Sequence, residues 1–151
     1  MVLMILAAAK VFSQVLAVSG AVQGAINFAL GLPVTPILIL IAMQALVAFL
    51  GMFMSPVPIM MITIPFYMPV VYTLGFDPVW FCVIFMLNTE MSTTSPPFGM
   101  TLFVMKGVAP PGTTMEDCYR AALPYLGCDL IVMALIIAFP ALALWLPGLM
   151  R

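Results

Sequence analysis

Apolar residues fill this chain in long blocks, and the polar residues that interrupt them are few. The cleanest block is Thr35 to Met54, broken only by Thr35 itself, Gln44 and Gly51. A helix needs about 20 mostly apolar residues to cross a bilayer, so the pattern predicts a transmembrane span over 35–54. A second block, Leu123 to Leu146, predicts a span over 123–147, with Pro124 at its start and Trp145 at an interface belt. Between them the pattern fragments. Pro56, Pro58, Pro65 and Pro69 punctuate 55–77, and the apolar pieces Val57–Ile62 and Phe66–Leu74 flank Thr63-Ile64-Pro65. Each piece is too short to cross. Together they predict a re-entrant hairpin over 55–77 with its tip at Thr63–Pro65, the alternative being one proline-kinked helix. Such a tip needs protein or water around it.

Residues 78–106 predict a helix that breaks partway. Gly75-Phe76-Asp77-Pro78 starts it, with Asp77 as N-cap and Pro78 in the first turn. Apolar Val79–Leu87 follows, then the polar run Asn88-Thr-Glu90-Met-Ser92-Thr93-Thr94-Ser95-Pro96-Pro97-Phe98-Gly99, then apolar Met100–Met105. Pro96 and Pro97 have no N–H to donate, and each disfavours helix in the residue before it. The break is therefore placed near Thr94–Pro97, with helix resuming around Pro97. A break at membrane depth frees carbonyls on one side and N–H groups on the other, and it is tolerated only inside protein or beside a wet cavity.

Two segments remain. Residues 1–34 read as packed or interfacial helices, with Lys10, Gln14, Gln23 and Asn27 at helical spacing on wet faces. Met1–Ala9 is apolar with its first charge, Lys10, behind it, the reverse of a signal peptide. It is too short to span, so a truncated or split protein is expected. Residues 107–122 read as a cytoplasmic loop and short helix, holding Glu116, Asp117 and Arg120 after Pro110-Pro111-Gly112. Thr113 or Thr114 can cap that helix.

Composition narrows the class. Only 6% of the residues are charged and 66% are hydrophobic, against about 25% charged in soluble domains. This is an all-α integral membrane protein in contact with lipid. A net charge of −1 gives nucleic acid no handle. There is no His, and Cys82, Cys118 and Cys128 lack metal-ligand spacing, so they read as packing residues. No cluster suits an intramembrane enzyme.

The candidate chemistry sits in the polar run. Glu90 would lie near the bilayer midplane, where an ionisable group is costly and by default functional. The hydroxyls of Ser92, Thr93, Thr94 and Ser95, with carbonyls freed by Pro96 and Pro97, suit a hard cation such as Na⁺. A half-helix starting after Pro97 near Gly99 suits an anion. Asn88 is expected to face the hairpin tip. Gln44 reads as an interhelical hydrogen-bonding residue, and Asp129 as a structural or snorkelling residue near the headgroups.

At these residues a resemblance becomes specific. The ordered set Gly51-Met52-Phe53-Met54, Ile62-Thr63-Ile64-Pro65 with Pro69, Gly75-Phe76-Asp77-Pro78, Asn88-x-Glu90, Ser95-Pro96-Pro97-Phe98-Gly99 and Leu144-Trp145-Leu146-Pro147 resembles the C-terminal part of the large membrane subunit (DctM-type) of tripartite ATP-independent periplasmic (TRAP) transporters. It is most similar to the branch labelled mannitol/chloroaromatic. The resemblance covers about residues 10 to 150. It implies one half of an inverted-repeat elevator transporter in a bacterial inner membrane, multi-pass, driven by Na⁺ as coupling ion and using no organic cofactor. It implies a small membrane subunit, a periplasmic substrate-binding protein, a missing N-terminal repeat and a small organic anion as substrate. Carried over, Thr63 to Pro65 would be the hairpin tip and Ser92 to Gly99 the break, with Na⁺ held by Thr94, Ser95 and nearby carbonyls. The family commonly has Thr at Ser95, Asp at Ser55 and Gly at Cys82. Another Na⁺-coupled dicarboxylate-type carrier and a non-transporting membrane anchor or assembly subunit are the competing readings.

Overall fold

The computed structural model describes residues 2–31, 33–96, 98–110 and 112–149. Among them the chain is helical and contains no strand. The helices are α1 (Val2–Ser19), α2 (Ala21–Gly31), α3 (Pro36–Gly51), α4 (Pro56–Thr73), α5 (Pro78–Thr94), α6 (Met100–Val108), α7 (Met115–Ala138) and α8 (Ala141–Leu149). Two of these, α4 and α7, are long and apolar enough to cross a membrane.

Proline starts helices here as often as it interrupts them. Pro36, Pro56 and Pro78 are the first residues of α3, α4 and α5, where a missing N–H costs no hydrogen bond. The residue before each is extended, and Asp77 also accepts from the N–H groups of Val79 (2.8 Å) and Trp80 (3.2 Å).

Helix α5 is central. Its Trp80, Phe81, Ile84 and Phe85 form one core with Leu40 and Val47 of α3 and Ile59, Tyr67 and Val71 of α4. Met133, Ile136 and Ile137 of α7 close over that core, and the Trp80 indole donates to the Ile136 carbonyl at 2.8 Å. Helices α1 and α2 lie against α4. Three links fix the directions. The Tyr67 hydroxyl donates to the Met43 carbonyl at 3.1 Å, so α4 runs back along α3. Asn88 bonds to Gln44 while Gly51 lies on Ser92, so α3 and α5 run the same way and converge at their C-terminal ends.

The structure corrects the hairpin expected over 55–77. Helix α4 passes through Thr63–Pro65 without turning. Pro65 and Pro69 each remove one backbone bond, but packing holds both sides. Ile59 and Thr63 are buried before Pro65, Tyr67 between the prolines, and Val70 and Val71 after Pro69. Tyr67 stands edge-on to Phe81 at 6.3 Å and to Phe85 at 6.4 Å. Membrane-type helices tolerate internal proline when neighbouring elements support them in this way.

The ends of the last span also differ from expectation. The short helix within 107–122 merges into α7, which starts at Met115 under a Thr114–Asp117 capping box and runs through Pro124. Helix α7 stops at Ala138 rather than near 147. Phe139 (φ −125°, ψ 81°), kept out of the helical region by the following Pro140, ends it, and α8 begins at Ala141.

Candidate functional site

The last turns of α5 carry most of the candidate residues. Asn88, Ser92 and Thr93 are buried, Thr94 is half-buried, and Glu90 is exposed on the outer side. Ser95, Pro96 and Gly99 lie in the connection to α6, with Ser95 extended (φ −81°, ψ 137°). Pro97 lies outside the described residues.

Each hydroxyl in this run uses its proton locally. Ser92 Oγ donates to the Thr89 carbonyl at 2.8 Å, Thr93 Oγ1 to Glu90 at 2.8 Å, Thr94 Oγ1 to Glu90 at 3.0 Å, and Ser95 Oγ to Met91 at 2.9 Å. A hydroxyl has one proton and two lone pairs. With the proton committed, it meets anything else as an acceptor. The end of α5 is therefore rich in oxygen lone pairs and poor in free donors.

Backbone geometry adds to this. Pro96 and Pro97 cannot donate to the carbonyls of Ser92 and Thr93 as helix residues would. The Ser95 N–H bends back to the Ser92 carbonyl at 3.2 Å. Gly99 N–H then reaches the Ser95 carbonyl at 3.0 Å. A Cβ at Gly99 would lie 2.9 Å from the carbonyl oxygens of both Thr93 and Ser95, closer than side chains approach. Only glycine lets the chain fold across these carbonyls.

The partner of this break is the turn between α3 and α4. The Phe53 ring lies 5.0 Å from that of Phe98. A Cβ at Gly51 would overlap the Ser92 hydroxyl, so the bare backbone of Gly51 packs directly on the Ser92 side chain. Two helix C-termini, each carrying partial negative charge, thus meet at one place with the Ser92 hydroxyl between them.

Thr63 and Pro65 lie elsewhere. Thr63 is eight residues past Ser55, about 12 Å along α4, and its hydroxyl donates to Ile59 within the same helix at 2.7 Å. Asn88 does not face them. Its amide donates to the Gln44 carbonyl at 2.6 Å and to Gln44 Oε1 at 2.9 Å, clamping α3 to α5. This fixes the Gln44 side chain and leaves its buried Nε2 without a hydrogen-bond partner among the described residues. An unmatched buried donor costs about 1–3 kcal/mol.

Gly51, Phe53 and the turn they flank were not among the expected site residues. The signal was present, because Ser55-Pro56 is an N-cap followed by a first-turn proline, which puts the turn before residue 56.

A helical membrane chain with an interrupted, carbonyl-rich helix end against a second helix turn has the form of a secondary-transporter permease. Comparison with known proteins makes this specific. Residues 1–142 match the family model described as tripartite ATP-independent periplasmic transporter, DctM component, and the chain belongs to that family. It is 32% identical over 148 residues to the C4-dicarboxylate TRAP transporter large permease protein DctM of Pseudomonas aeruginosa, covering 98% of this chain and 34% of that protein. It is 35% identical over 114 residues to the sialic acid TRAP transporter large permease protein SiaM of Vibrio cholerae, covering 76% and 26%. It is 28% identical over 148 residues to the isethionate TRAP transporter permease protein DctMQ of Oleidesulfovibrio alaskensis, covering 98% and 23%. The chain thus spans about a third or less of the length of these relatives. The family is one of transporter permeases, not enzymes.

Proposed function

We propose that this chain forms one repeat of a Na⁺-driven TRAP permease in a bacterial inner membrane, crossing it several times. It supplies half of a site for a small organic anion. The observation that carries this reading is the end of α5. Four hydroxyls there have spent their protons on carbonyls one turn back, and two helix C-termini converge on them. Oxygen lone pairs beside partial negative charge suit Na⁺. Thr94, Ser95 and the Thr93 carbonyl are its ligands from this chain.

The α3–α4 pair acts as the re-entrant hairpin, with its tip at Met52–Ser55 rather than Thr63–Pro65. Helix α3 has 16 residues, about 24 Å, short of a hydrocarbon core of about 30 Å. Its tip touches the break, as a hairpin at an ion site must.

The relatives named above are C4-dicarboxylate, sialic acid and isethionate transporters. All three compounds are organic anions, which supports an organic acid as substrate here. The α6 N-terminus beyond Gly99 supplies N–H groups for its carboxylate. A periplasmic binding protein delivers the substrate, a small membrane subunit completes the complex, and the rest of a family-length permease supplies the other half of the site. The test is sodium-dependent uptake by the assembled transporter containing this chain. The Ser92→Ala/Thr94→Ala/Ser95→Ala variant should need more sodium for half-maximal uptake. Unchanged sodium dependence would refute the assignment.

A further inference from the structure

Helix α5 is covered over most of its surface but keeps one open stripe. Val79 is 45% and Met86 61% exposed, and Glu90, one turn further on, is exposed as well. Residues four apart share a helix face, so Met86 and Glu90 lie one above the other on the way to the break. Between Asp77 and Lys106, Glu90 is the one charged residue. It stands about 18 Å along α5 from Pro78, well inside a hydrocarbon core of about 30 Å. A carboxylate at that depth faces protein or water and pairs with a donor or cation. Among the described residues nothing in the chain meets it. The hydroxyls of Thr93 and Thr94 donate to the Glu90 main-chain carbonyl, at 2.8 and 3.0 Å, not to its carboxylate. The chain has four Lys and Arg residues in all. Arg120 is bound to Glu116 at 2.8 Å, Lys106 sits in the last turn of α6, and Lys10 lies on α1, which packs against α4. Arg151 lies outside the described residues.

We infer that the Val79–Met86–Glu90 stripe is the surface on which the rest of a family-length permease packs, and that this partner brings a Lys or Arg that pairs with Glu90. Charge complementarity sets the chemistry of the partner: one basic side chain within an otherwise apolar helix. Acyl chains cannot supply it. Position sets which protein it is. The chain covers 34% of the length of the Pseudomonas aeruginosa relative, so most of a permease of that size lies beyond what this chain covers. The stripe runs into the break, where the half-site proposed above awaits its other half, and carriers built from repeats place their sites between the repeats. The pairing therefore seats one repeat on the other beside the site. It rests on the transporter reading above and adds to it the docking face and the charge that face receives.

The test uses the assembled transporter containing this chain, in its membrane. A photoreactive p-benzoylphenylalanine replaces the exposed Met86, and the irradiated product is mapped by mass spectrometry. The adduct should fall on a permease peptide outside this chain, within an apolar stretch that carries a Lys or Arg. Adducts with lipid alone, with a second copy of this chain or with the small membrane subunit would overturn the docking face, as would no adduct at all. Charge exchange then tests the pair. Glu90→Lys should abolish co-purification of this chain with the rest of the permease, with helix content unchanged by circular dichroism. Replacing the mapped basic residue with Glu in the same complex should restore it. A Glu90→Lys complex that co-purifies as the wild type does, or a loss that the exchange leaves unrepaired, would overturn the pair. The two readings fail separately. Sodium-dependent uptake with only lipid adducts at Met86 would leave the transporter standing and remove the docking face, whereas the mapped permease adduct without sodium-dependent uptake would do the reverse.

Discussion

Helix α4 and the α5–α6 pair hold the same disruptive residue and meet opposite fates. Pro65 and Pro69 sit inside α4, which continues, while Pro96 and Pro97 end α5 at Thr94. Proline inside a helix costs about 3 kcal/mol or more, so the difference lies in what surrounds it. In α4 the prolines are four apart, each removing one bond, and a buried face on both sides holds the helix to α3 and α5. In α5 they are adjacent, so two neighbouring carbonyls lose their donors together. The residues before them are Ser and Thr, whose hydroxyls bond to carbonyls of the preceding turn. The residue beyond is Gly99, which can cross the helix end where no side chain would fit. Helix interruption in this protein is decided by the neighbourhood of the proline, and the interrupted place is the one lined with unspent acceptors.

The comparison can be broken most severely at Tyr67. It bridges the two prolines of α4 with two edge-on ring contacts and a hydrogen bond to Met43. Tyr67→Ala should cost about 3 kcal/mol, read from unfolding in mixed micelles. It should also raise amide exchange on both sides of Pro65, turning α4 towards the behaviour of α5. Gly51→Ala comes next, at about 2 kcal/mol, because its Cβ has only the Ser92 hydroxyl and Cβ to displace. Its effect should centre on the turn and break, with α4 exchange unchanged. The smallest loss of stability is expected from replacing prolines themselves, because removing a proline from a helix relieves a cost rather than adding one. Pro96→Ala with Pro97→Ala should extend α5 past Thr94 and raise helix content, because the freed carbonyls regain donors. Pro65→Ala with Pro69→Ala should leave helix content as it was. Equal gains from both pairs would mean that the neighbourhood does not decide.

Much of this was legible in the chain. Two adjacent prolines after a hydroxyl run mark a break with little ambiguity, and the break residues follow from it. The hairpin was expected over 55–77 because Pro56, Pro58, Pro65 and Pro69 were all taken as interruptions, when Pro56 starts α4 and Pro65 and Pro69 are overridden by packing. That override rests on Tyr67 meeting Phe81 and Phe85, contacts no local pattern reveals. The Gln44–Asn88 clamp joins residues 44 apart. Each amide is visible in the sequence, but their pairing is not. The last span was expected to start at Leu123, whereas the capping box at Thr114–Asp117 starts α7 eight residues earlier, at Met115.

The central claim is that the break and the α3–α4 turn together hold Na⁺. Amide hydrogen exchange of the chain in lipid nanodiscs, compared in Na⁺ and K⁺, tests it most directly. Sodium should slow exchange at Ser92–Ser95, at Phe98–Thr101 and at Met52–Ser55, and leave Ile62–Met68 of α4 unchanged. Exchange that is the same in both salts, or slowed evenly along the chain, would contradict it.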